Sequence, residues 1–228
     1  MSEGQTRLAP PEGIGALRRQ RLDWAQLYFV CDARQVESDL EELLRAALAG
    51  GAGIVQLRDK EADREALVRA GHTFKRLAEG YGALFIVNDD PSLASELQAD
   101  GVHLGQDDLN PAEARRLLGA DAVIGLSTHS PKQLDAAKDA GVDYLSAGPV
   151  WATPTKEGRP ATGLELIEHA ARKSKLPFFA IGGIDTRNVA ELSAAGASRV
   201  CVVRAIRDAD DPRAAAAALR AAVDPELE

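Results

Sequence analysis

The sequence predicts an α/β fold, a single (β/α)8 TIM barrel with a short N-terminal extension. Three observations support this prediction. Beyond residue 23, short apolar runs alternate with amphipathic helical segments about eight times, which is the repeat of such a barrel. The apolar runs are almost continuous, as expected for parallel strands that are buried on both faces. The length of 228 residues fits one barrel better than two small domains.

The N-terminal extension covers residues 1–23, and the barrel is expected to occupy residues 24–228. The extension contains Pro10-Pro11 together with several glycines and arginines. It is predicted either to be partly disordered or to end in a short helix that caps the bottom of the barrel. It lacks the apolar stretch of a secretory signal.

Each predicted strand is a short run rich in β-branched, aliphatic or aromatic residues. In chain order the expected strands are Leu27–Cys31, Gly53–Leu57, Leu84–Asn88, Gly101–Leu104, Val123–Ser127, Tyr144–Pro149, Phe178–Gly182 and Val200–Arg204. Helices are expected between them, because the intervening segments are amphipathic and several of them open with proline and end at glycine. These helices include Leu40–Ala49, Arg64–Glu79, Pro111–Leu118, Pro131–Ala140, Leu164–Arg172, Arg187–Ala195 and Pro212–Ala222.

An open, doubly wound sheet is the alternative architecture. That fold often carries a glycine-rich fingerprint after its first strand, and the segment Cys31–Arg34 has no glycine. The closed barrel is therefore the favoured prediction.

Charge and cysteine content narrow the classes of partner. The formal net charge of −8 argues against nucleic acid as the main partner, so any phosphate site must come from a local cluster of basic groups. No apolar run approaches the roughly 18–20 residues that span a bilayer. Cys31 and Cys201 lie inside strand-like runs, which favours buried reduced thiols over a disulfide or a reactive role. We expect a cytoplasmic protein without membrane partners.

Two carboxylates follow neighbouring strands, Asp89 after the third and Asp108 after the fourth. The carboxyl ends of parallel barrel strands meet on one face, so these acids are predicted to converge and to hold Mg²⁺. The alternative is helix capping, because Asp89-Asp90-Pro91 and Asp107–Pro111 also resemble helix starts. A metal with two protein ligands completes its coordination with water and phosphate oxygens, which indicates a phosphorylated substrate.

A basic row stands at the end of the second strand. Alternation along the strand sends Gln56, Arg58 and Lys60 to one side and Leu57 and Asp59 to the other. Arginine suits bidentate phosphate binding, and lysine supplies a compact charge. A solvated strand end whose cations pair with nearby acids is the alternative.

Three later strand ends supply further polar groups. Ser127 follows the fifth strand, and the loop after the sixth carries Thr153, Thr155 and Lys156, which suit an anion clamp. The glycine pair ending in Gly183 follows the seventh strand and would let backbone N–H groups approach a phosphate. His103 lies among apolar residues and is interpreted as a hydrogen-bonded core histidine, and His129 has no neighbour that would make it a base.

These motifs together resemble the thiamine phosphate synthase family, also called thiamine-phosphate diphosphorylase. The resemblance runs from about Leu27 to Ala222 and leaves out the extension. The matching segments are Leu27-Tyr28, Gln56–Lys60, Asn88-Asp89, Ala99–Asp108, Gly125–Ser130, Gly148–Val150, Thr153–Lys156, Ala180–Ile184 and Asn188.

The resemblance implies a transferase that joins 4-amino-2-methyl-5-hydroxymethylpyrimidine diphosphate to 4-methyl-5-(2-hydroxyethyl)thiazole phosphate, giving thiamine phosphate and diphosphate. It implies one Mg²⁺ per site on Asp89 and Asp108. The pyrimidine diphosphate would be bound by Gln56, Leu57, Arg58, Asp59, Lys60, Asn88, Ser127 and Lys156, with Gln56 on the ring. The thiazole phosphate would be bound by Thr153, Pro154, Thr155, Gly183, Val203 and Arg204. The groups implied to be catalytic are Arg58, Lys60, Ser127 and Lys156.

The chemistry of this reaction is consistent with the residues named above. Loss of diphosphate leaves a pyrimidinylmethyl cation that the thiazole nitrogen attacks, and since this nitrogen has no proton to lose, no general base is required. One departure concerns Arg204, which stands where some relatives have serine, so the role of its side chain stays open.

Three alternatives remain. A paralogous thiazole tautomerase would share the barrel but need an acid/base histidine, and a silent ligand-binding barrel would lack the metal acids or the clamp lysine. A phosphosugar isomerase would leave the acid pair unexplained. The expected partners are small-molecule substrates, and the sequence leaves open whether the chain forms a homo-oligomer.

Overall fold

The strands close into a parallel barrel, which confirms the predicted fold class. The computed structural model describes residues 12–34, 36–153 and 160–223. Each strand pairs in parallel with the next, and the eighth pairs with the first. The strands are β1 Leu27–Cys31, β2 Ile54–Leu57, β3 Leu84–Asn88, β4 Gly101–Leu104, β5 Val123–Thr128, β6 Tyr144–Ala147, β7 Phe178–Ile181 and β8 Val200–Val202.

Helices separate the strands along the chain and pack outside them. They are α1 Ile14–Trp24, α2 Glu37–Ala49, α3 Arg64–Tyr81, α4 Pro91–Glu96, α5 Pro111–Leu118, α6 Pro131–Ala136, α7 Gly163–Lys173, α8 Val189–Ala194, α9 Arg204–Arg207 and α10 Pro212–Val223. In the ranges described, no helix combines the length and the apolar character needed to cross a bilayer.

Alternation along the strands divides the apolar core into two layers. In β1, Phe29 belongs to the cluster between the barrel and its helices, whereas Tyr28 belongs to the cluster inside the barrel. Tyr144 and Phe179 join Tyr28 in the inner cluster, and all three side chains are almost completely buried. Because these large rings fill the barrel interior, the barrel is a packed core, and open space is left at its carboxyl end.

Helix α1 is tied to the barrel by ion pairs. Arg18 Nε donates to Asp100 Oδ1 at 2.8 Å, and Arg19 Nε donates to Asp143 Oδ1 at 3.0 Å. Each acid also accepts a strand N–H, Asp100 from Phe85 and Asp143 from Ile124. The helix is therefore anchored to the loops that lead into β4 and β6, at the end opposite the carboxyl ends of the strands.

Several expected boundaries are wrong by a few residues. Strand β8 ends at Val202, and Arg204 begins α9 instead of closing a strand. Helix α8 begins at Val189 rather than Arg187, because the Asp185 side chain accepts the Arg187 N–H at 2.8 Å and holds that segment in a turn. Helix α6 stops at Ala136 and is followed by a short 3₁₀ turn, Ala137–Asp139.

Candidate active site

A cavity of about 730 Å³ opens at the carboxyl ends of the strands. Most of the residues implicated by the sequence line it together. They are Gln56, Arg58, Lys60, Asn88, Asp89, Asp108, Ser127, Thr153, Gly183, Val203 and Arg204. The acids, the basic row and the glycine turn therefore share one space, as active-site groups do in barrels of this kind.

Some implicated residues do not line this cavity. Leu57 is 2% exposed and belongs to the outer core, and Asp59 accepts the backbone N–H groups of Ala33 at 3.2 Å and Glu61 at 3.0 Å. The Asp59 side chain therefore has a structural role, because it joins the loop after β1 to the loop after β2. Pro154, Thr155 and Lys156 lie outside the described residues.

The two acids are in mutual contact at the mouth of the barrel. Burial raises the pKa of Asp89 to about 6, and a hydrogen bond and the charge of Asp108 add to the effect, while Lys60 and Arg58 oppose it. Asp89 has a positive φ of 61° and its backbone N–H donates to His103 O at 2.8 Å. A left-handed aspartate is uncommon, and here it carries a side chain into the cavity.

Neither acid caps a helix. The cap of α4 is Asp90, whose side chain accepts the Leu93 N–H at 3.0 Å. The cap of α5 is Asn110, which accepts the Ala112 N–H at 2.9 Å. Asp108 instead accepts the Gly105 N–H at 2.7 Å within its own loop. The capping alternative therefore does not account for Asp89 or Asp108.

The turn after β7 is held by one side chain. Gly182 and Gly183 have φ values of 104° and 68°, a region that favours glycine. Added side chains would collide with Pro149 and Trp151 respectively. Asn188 Nδ2 donates to Gly183 O at 2.8 Å, and its Oδ1 accepts the Asp185 N–H at 2.9 Å. The turn that lines the cavity is consequently fixed at both ends by Asn188.

A second positive region lies after β8. Arg204 lines the cavity at the start of α9, and its charge contributes to lowering the pKa of Asp208, for which the hydrogen bond to Arg207 is the largest cause. Arg207 also pairs with Asp32 at 3.3 Å. Arg204 is thus the cation of this group that faces the cavity.

Sequence reasoning missed part of the cavity floor. Tyr28 and Ser146 line the cavity, and His103, interpreted as a core histidine, lines it as well. His103 is 7% exposed and hydrogen-bonds Tyr144 through Nδ1 and Ser127 through Nε2, both at 3.0 Å. The alternation of inward and outward side chains along each strand could have identified these three residues, because Tyr28, His103 and Ser146 all occupy inward positions.

Comparisons with known proteins agree with one another. A family model described as thiamine monophosphate synthase matches residues 27–206. The thiamine-phosphate synthase of Saccharopolyspora erythraea is 53% identical over 218 residues, covering 92% of this chain and 96% of the relative. That of Thermus thermophilus is 50% identical over 199 residues, covering 86% and 95%. Among solved structures, a thiamine phosphate pyrophosphorylase from Pyrococcus furiosus has a TM-score of 0.79 at 34% identity and covers 90% of this chain and 96% of that one.

Proposed function

The chain belongs to the thiamine monophosphate synthase family, and we propose that its barrel mouth joins a pyrimidine diphosphate to a thiazole phosphate. The products are thiamine phosphate and diphosphate, so the enzyme is a transferase. The observation that carries the proposal is the contact between Asp89 and Asp108 in the same cavity as Arg58 and Lys60. A site of this kind suits a substrate with several negative phosphate oxygens.

Asp89 and Asp108 are proposed to hold one Mg²⁺. Two touching carboxylates fit a cation, because like charges at this distance oppose each other's ionisation. Burial is the main cause of the raised pKa of Asp89, and the contact with Asp108 adds to it. Bound there, Mg²⁺ would neutralise oxygens of the leaving diphosphate.

The side chains around the acids are proposed to bind different parts of the pyrimidine diphosphate. Gln56 would contact the pyrimidine ring, and the diphosphate would be held by Arg58, Lys60, Asn88 and Ser127, all of which line the cavity. Lys156, which lies outside the described residues, is proposed to add a further positive charge. Positive charge that is already in place costs no reorganisation as the leaving group develops its own charge.

The thiazole phosphate is proposed to occupy the opposite part of the mouth. Thr153, Gly183 and the Val203–Arg204 segment line that part of the cavity, and Pro154 and Thr155, which lie outside the described residues, are proposed to add to the same site. Two substrates bound side by side place the thiazole nitrogen near the carbon that loses diphosphate. Alignment of this kind replaces an encounter between two molecules by a reaction within one complex.

The mechanism needs no proton acceptor, and the surroundings of the histidines support this. The ring nitrogens of His103 lie 3.0 Å from Tyr144 and 3.0 Å from Ser127. The His129 ring contacts the Gly148 carbonyl. Histidines held in this way favour alkyl transfer over the proton shift of a thiazole tautomerase, which remains the second candidate because it shares the barrel.

We also propose that the reaction takes place in the cytoplasm. The support is that Cys31 and Cys201 are both buried and that neither forms a disulfide. Free thiols are typical of a reducing compartment.

The test is direct product formation. Purified protein is incubated with both substrates and Mg²⁺, and thiamine phosphate and diphosphate are quantified. Equal amounts of the two products are expected, with no turnover when Mg²⁺ is removed by a chelator. Glu79→Gln, a change of an exposed side chain in the last turn of α3, at the end of the barrel opposite the mouth, serves as the control and should turn over normally. Absence of thiamine phosphate would overturn the proposal.

A further inference from the structure

A chain of hydrogen bonds runs across the floor of the cavity between its two sides. It starts at Gln56, whose Nε2 donates to Tyr28 Oη, and continues to Tyr144 Oη at 3.0 Å. Tyr144 Oη lies 3.0 Å from His103 Nδ1, and His103 Nε2 lies 3.0 Å from Ser127 Oγ. All five side chains are buried, with exposed fractions of 7% or less. We call this chain the floor relay.

The direction of each hydrogen bond in the floor relay follows from the atoms present. Among the described residues, Tyr28 Oη bonds Gln56 Nε2, which can only donate, and Tyr144 Oη. The Tyr28 hydrogen therefore goes to Tyr144, and the Tyr144 hydrogen goes on to His103 Nδ1. An opposite direction would leave a buried hydroxyl hydrogen without an acceptor, which is costly.

This direction determines the tautomer of His103. Its Nδ1 accepts from Tyr144, so the ring hydrogen sits on Nε2 and is donated to Ser127 Oγ. Because Ser127 accepts from His103, its own hydroxyl hydrogen is left for another acceptor. The neighbouring Ser146 Oγ donates to Ser127 Oγ at 3.4 Å, and Ser127 lines the cavity, so that acceptor is a group of the bound ligand.

The packing around the floor relay supports its rigidity. His103, Gly125 and Tyr144 lie in one row across β4, β5 and β6. A side chain at Gly125 would collide with both the Tyr144 ring and His103 Nδ1. Glycine at this position therefore leaves room for the hydrogen bond between Tyr144 and His103. Tyr28, Tyr144 and Phe179 also pack edge to face, with centroids 5.4–6.0 Å apart.

We propose that Tyr28, Tyr144 and His103 are positioning residues that select an aminopyrimidine over an oxopyrimidine, an inference that rests on the proposed function. Since Nε2 of Gln56 is held by Tyr28, its Oε1 and second N–H hydrogen are left for the ring. This pair matches the amino group and adjacent ring nitrogen of a 4-aminopyrimidine. A 4-oxopyrimidine presents the reverse pattern, carbonyl beside N–H, and would require a flipped amide.

At its other end the floor relay directs the Ser127 hydroxyl hydrogen toward the diphosphate. The two ends therefore contact the two halves of one substrate, with the ring at Gln56 and the leaving group at Ser127. Tyr144 does not line the cavity, so it acts through its neighbours alone.

Two measurements test the proposal. The first uses the wild-type protein and nitrogen-15 NMR of its histidine rings, with the His103 signals assigned by their loss in His103→Gln. We expect hydrogen on Nε2 and none on Nδ1. Hydrogen on Nδ1 would overturn the relay, whatever the variants do.

The second measurement is the ratio of kcat/KM for the aminopyrimidine diphosphate to that for its 4-oxo analogue. Tyr28→Phe frees the Gln56 amide to rotate, so this ratio should fall by about tenfold or more, since sites that pair buried polar groups discriminate strongly. Tyr144→Phe should lower kcat for the natural pair. Tyr81→Phe, on the exposed end of α3, is the matched control and should change neither quantity.

Because both analogues are compared on each variant, their different intrinsic reactivity cancels from the change in ratio. An unchanged ratio in Tyr28→Phe would overturn the selection by the floor relay even if the wild type makes thiamine phosphate. A wild type that makes none would instead overturn the proposed function, so the two failures are distinguishable.

Discussion

At the scale of single residues, the mouth of the barrel is built around a carboxylate held where it is costly to ionise. Asp89 has a left-handed backbone and a pKa of about 6, raised by burial first and by Asp108 second. Strain and repulsion of this kind concentrate at functional sites, where a ligand relieves them. Ionisation of Asp89 should therefore lower the stability of the metal-free protein.

We predict that Asp89→Asn raises Tm at pH 8 in the absence of divalent cations. The folded pKa of about 6 exceeds that of an unfolded aspartate, so folding favours the protonated carboxyl. That stabilisation is complete below about pH 4 and is lost as the pH rises through 6. The variant should consequently melt above the wild type at pH 8, and the difference should shrink at pH 5. Asparagine also tolerates the left-handed backbone.

Thermal melts at both pH values, with and without 10 mM Mg²⁺, would check this prediction. Mg²⁺ should raise the Tm of the wild type at pH 8 and leave Asp89→Asn unaffected. Asp90→Asn is the matched control, since asparagine caps a helix as well as aspartate does. A lower Tm for Asp89→Asn at pH 8 would contradict the cost of ionisation assigned to burial and to the contact with Asp108.

At the scale of elements, the turn after β7 depends on a residue outside it. Asn188 bridges Gly183 O and the Asp185 N–H, and so holds the glycine turn at the edge of the cavity. The short helix α8 starts only after this bridge, at Val189. The turn is proposed to hold the thiazole phosphate, so Asn188 should affect one substrate and not the other.

We predict that Asn188→Ala raises KM for the thiazole phosphate by about tenfold, since losing two hydrogen bonds of about 1 kcal/mol each loosens the turn. The KM for the pyrimidine diphosphate should stay unchanged. Steady-state kinetics with each substrate varied in turn would measure this. Asn110→Ala, which removes the cap of α5, is the control and should lower Tm while leaving both KM values in place; equal effects on the two substrates would contradict the assignment.

The same elements indicate what the sequence can and cannot predict. Alternation along β2 was enough to place Gln56, Arg58 and Lys60 on the cavity side, because two-residue periodicity is local. The end of β8 was not predictable, since Val203 continues the apolar run but lies outside the strand, and α9 begins at the next residue, Arg204. Helix α3 was expected to end at Glu79, before Gly80, but it ends at Tyr81, and Gly82 with a φ of 69° is its C-cap. The sequence could not distinguish the two ends, because either glycine could have supplied that turn.

At the scale of the whole molecule, closure of the barrel brings together groups that are far apart in the chain. The contact between Tyr28 and Tyr144 joins strands β1 and β6, and it depends on a register that no local pattern encodes. Helix α1 acts at this scale too, because it ties the opposite end of the barrel through Arg18 and Asp100. The ion pairs of α1 and the proposed active site thus lie at opposite ends of the strands.

We predict that Arg18→Ala destabilises the protein by about 1–3 kcal/mol, because Asp100 would be left in a pocket without its cation. The Asp100 side chain is 8% exposed and that of Arg18 is 16% exposed, so the pair is not a surface ion pair. A fall in Tm of roughly 2–4 °C per kcal/mol is expected for a chain of this size. Turnover below the melting range should not change, and a loss of activity without a loss of stability would contradict this division of roles.

The Mg²⁺ dependence of turnover in Asp108→Asn tests most directly whether the two acids hold the ion. We expect an intact fold by circular dichroism, a loss of at least about 10²-fold in kcat at saturating substrates, and no saturation by Mg²⁺ in the range that saturates the wild type. Wild-type turnover with an unaltered Mg²⁺ dependence in this variant would contradict the claim that the two acids hold the ion beside the leaving diphosphate.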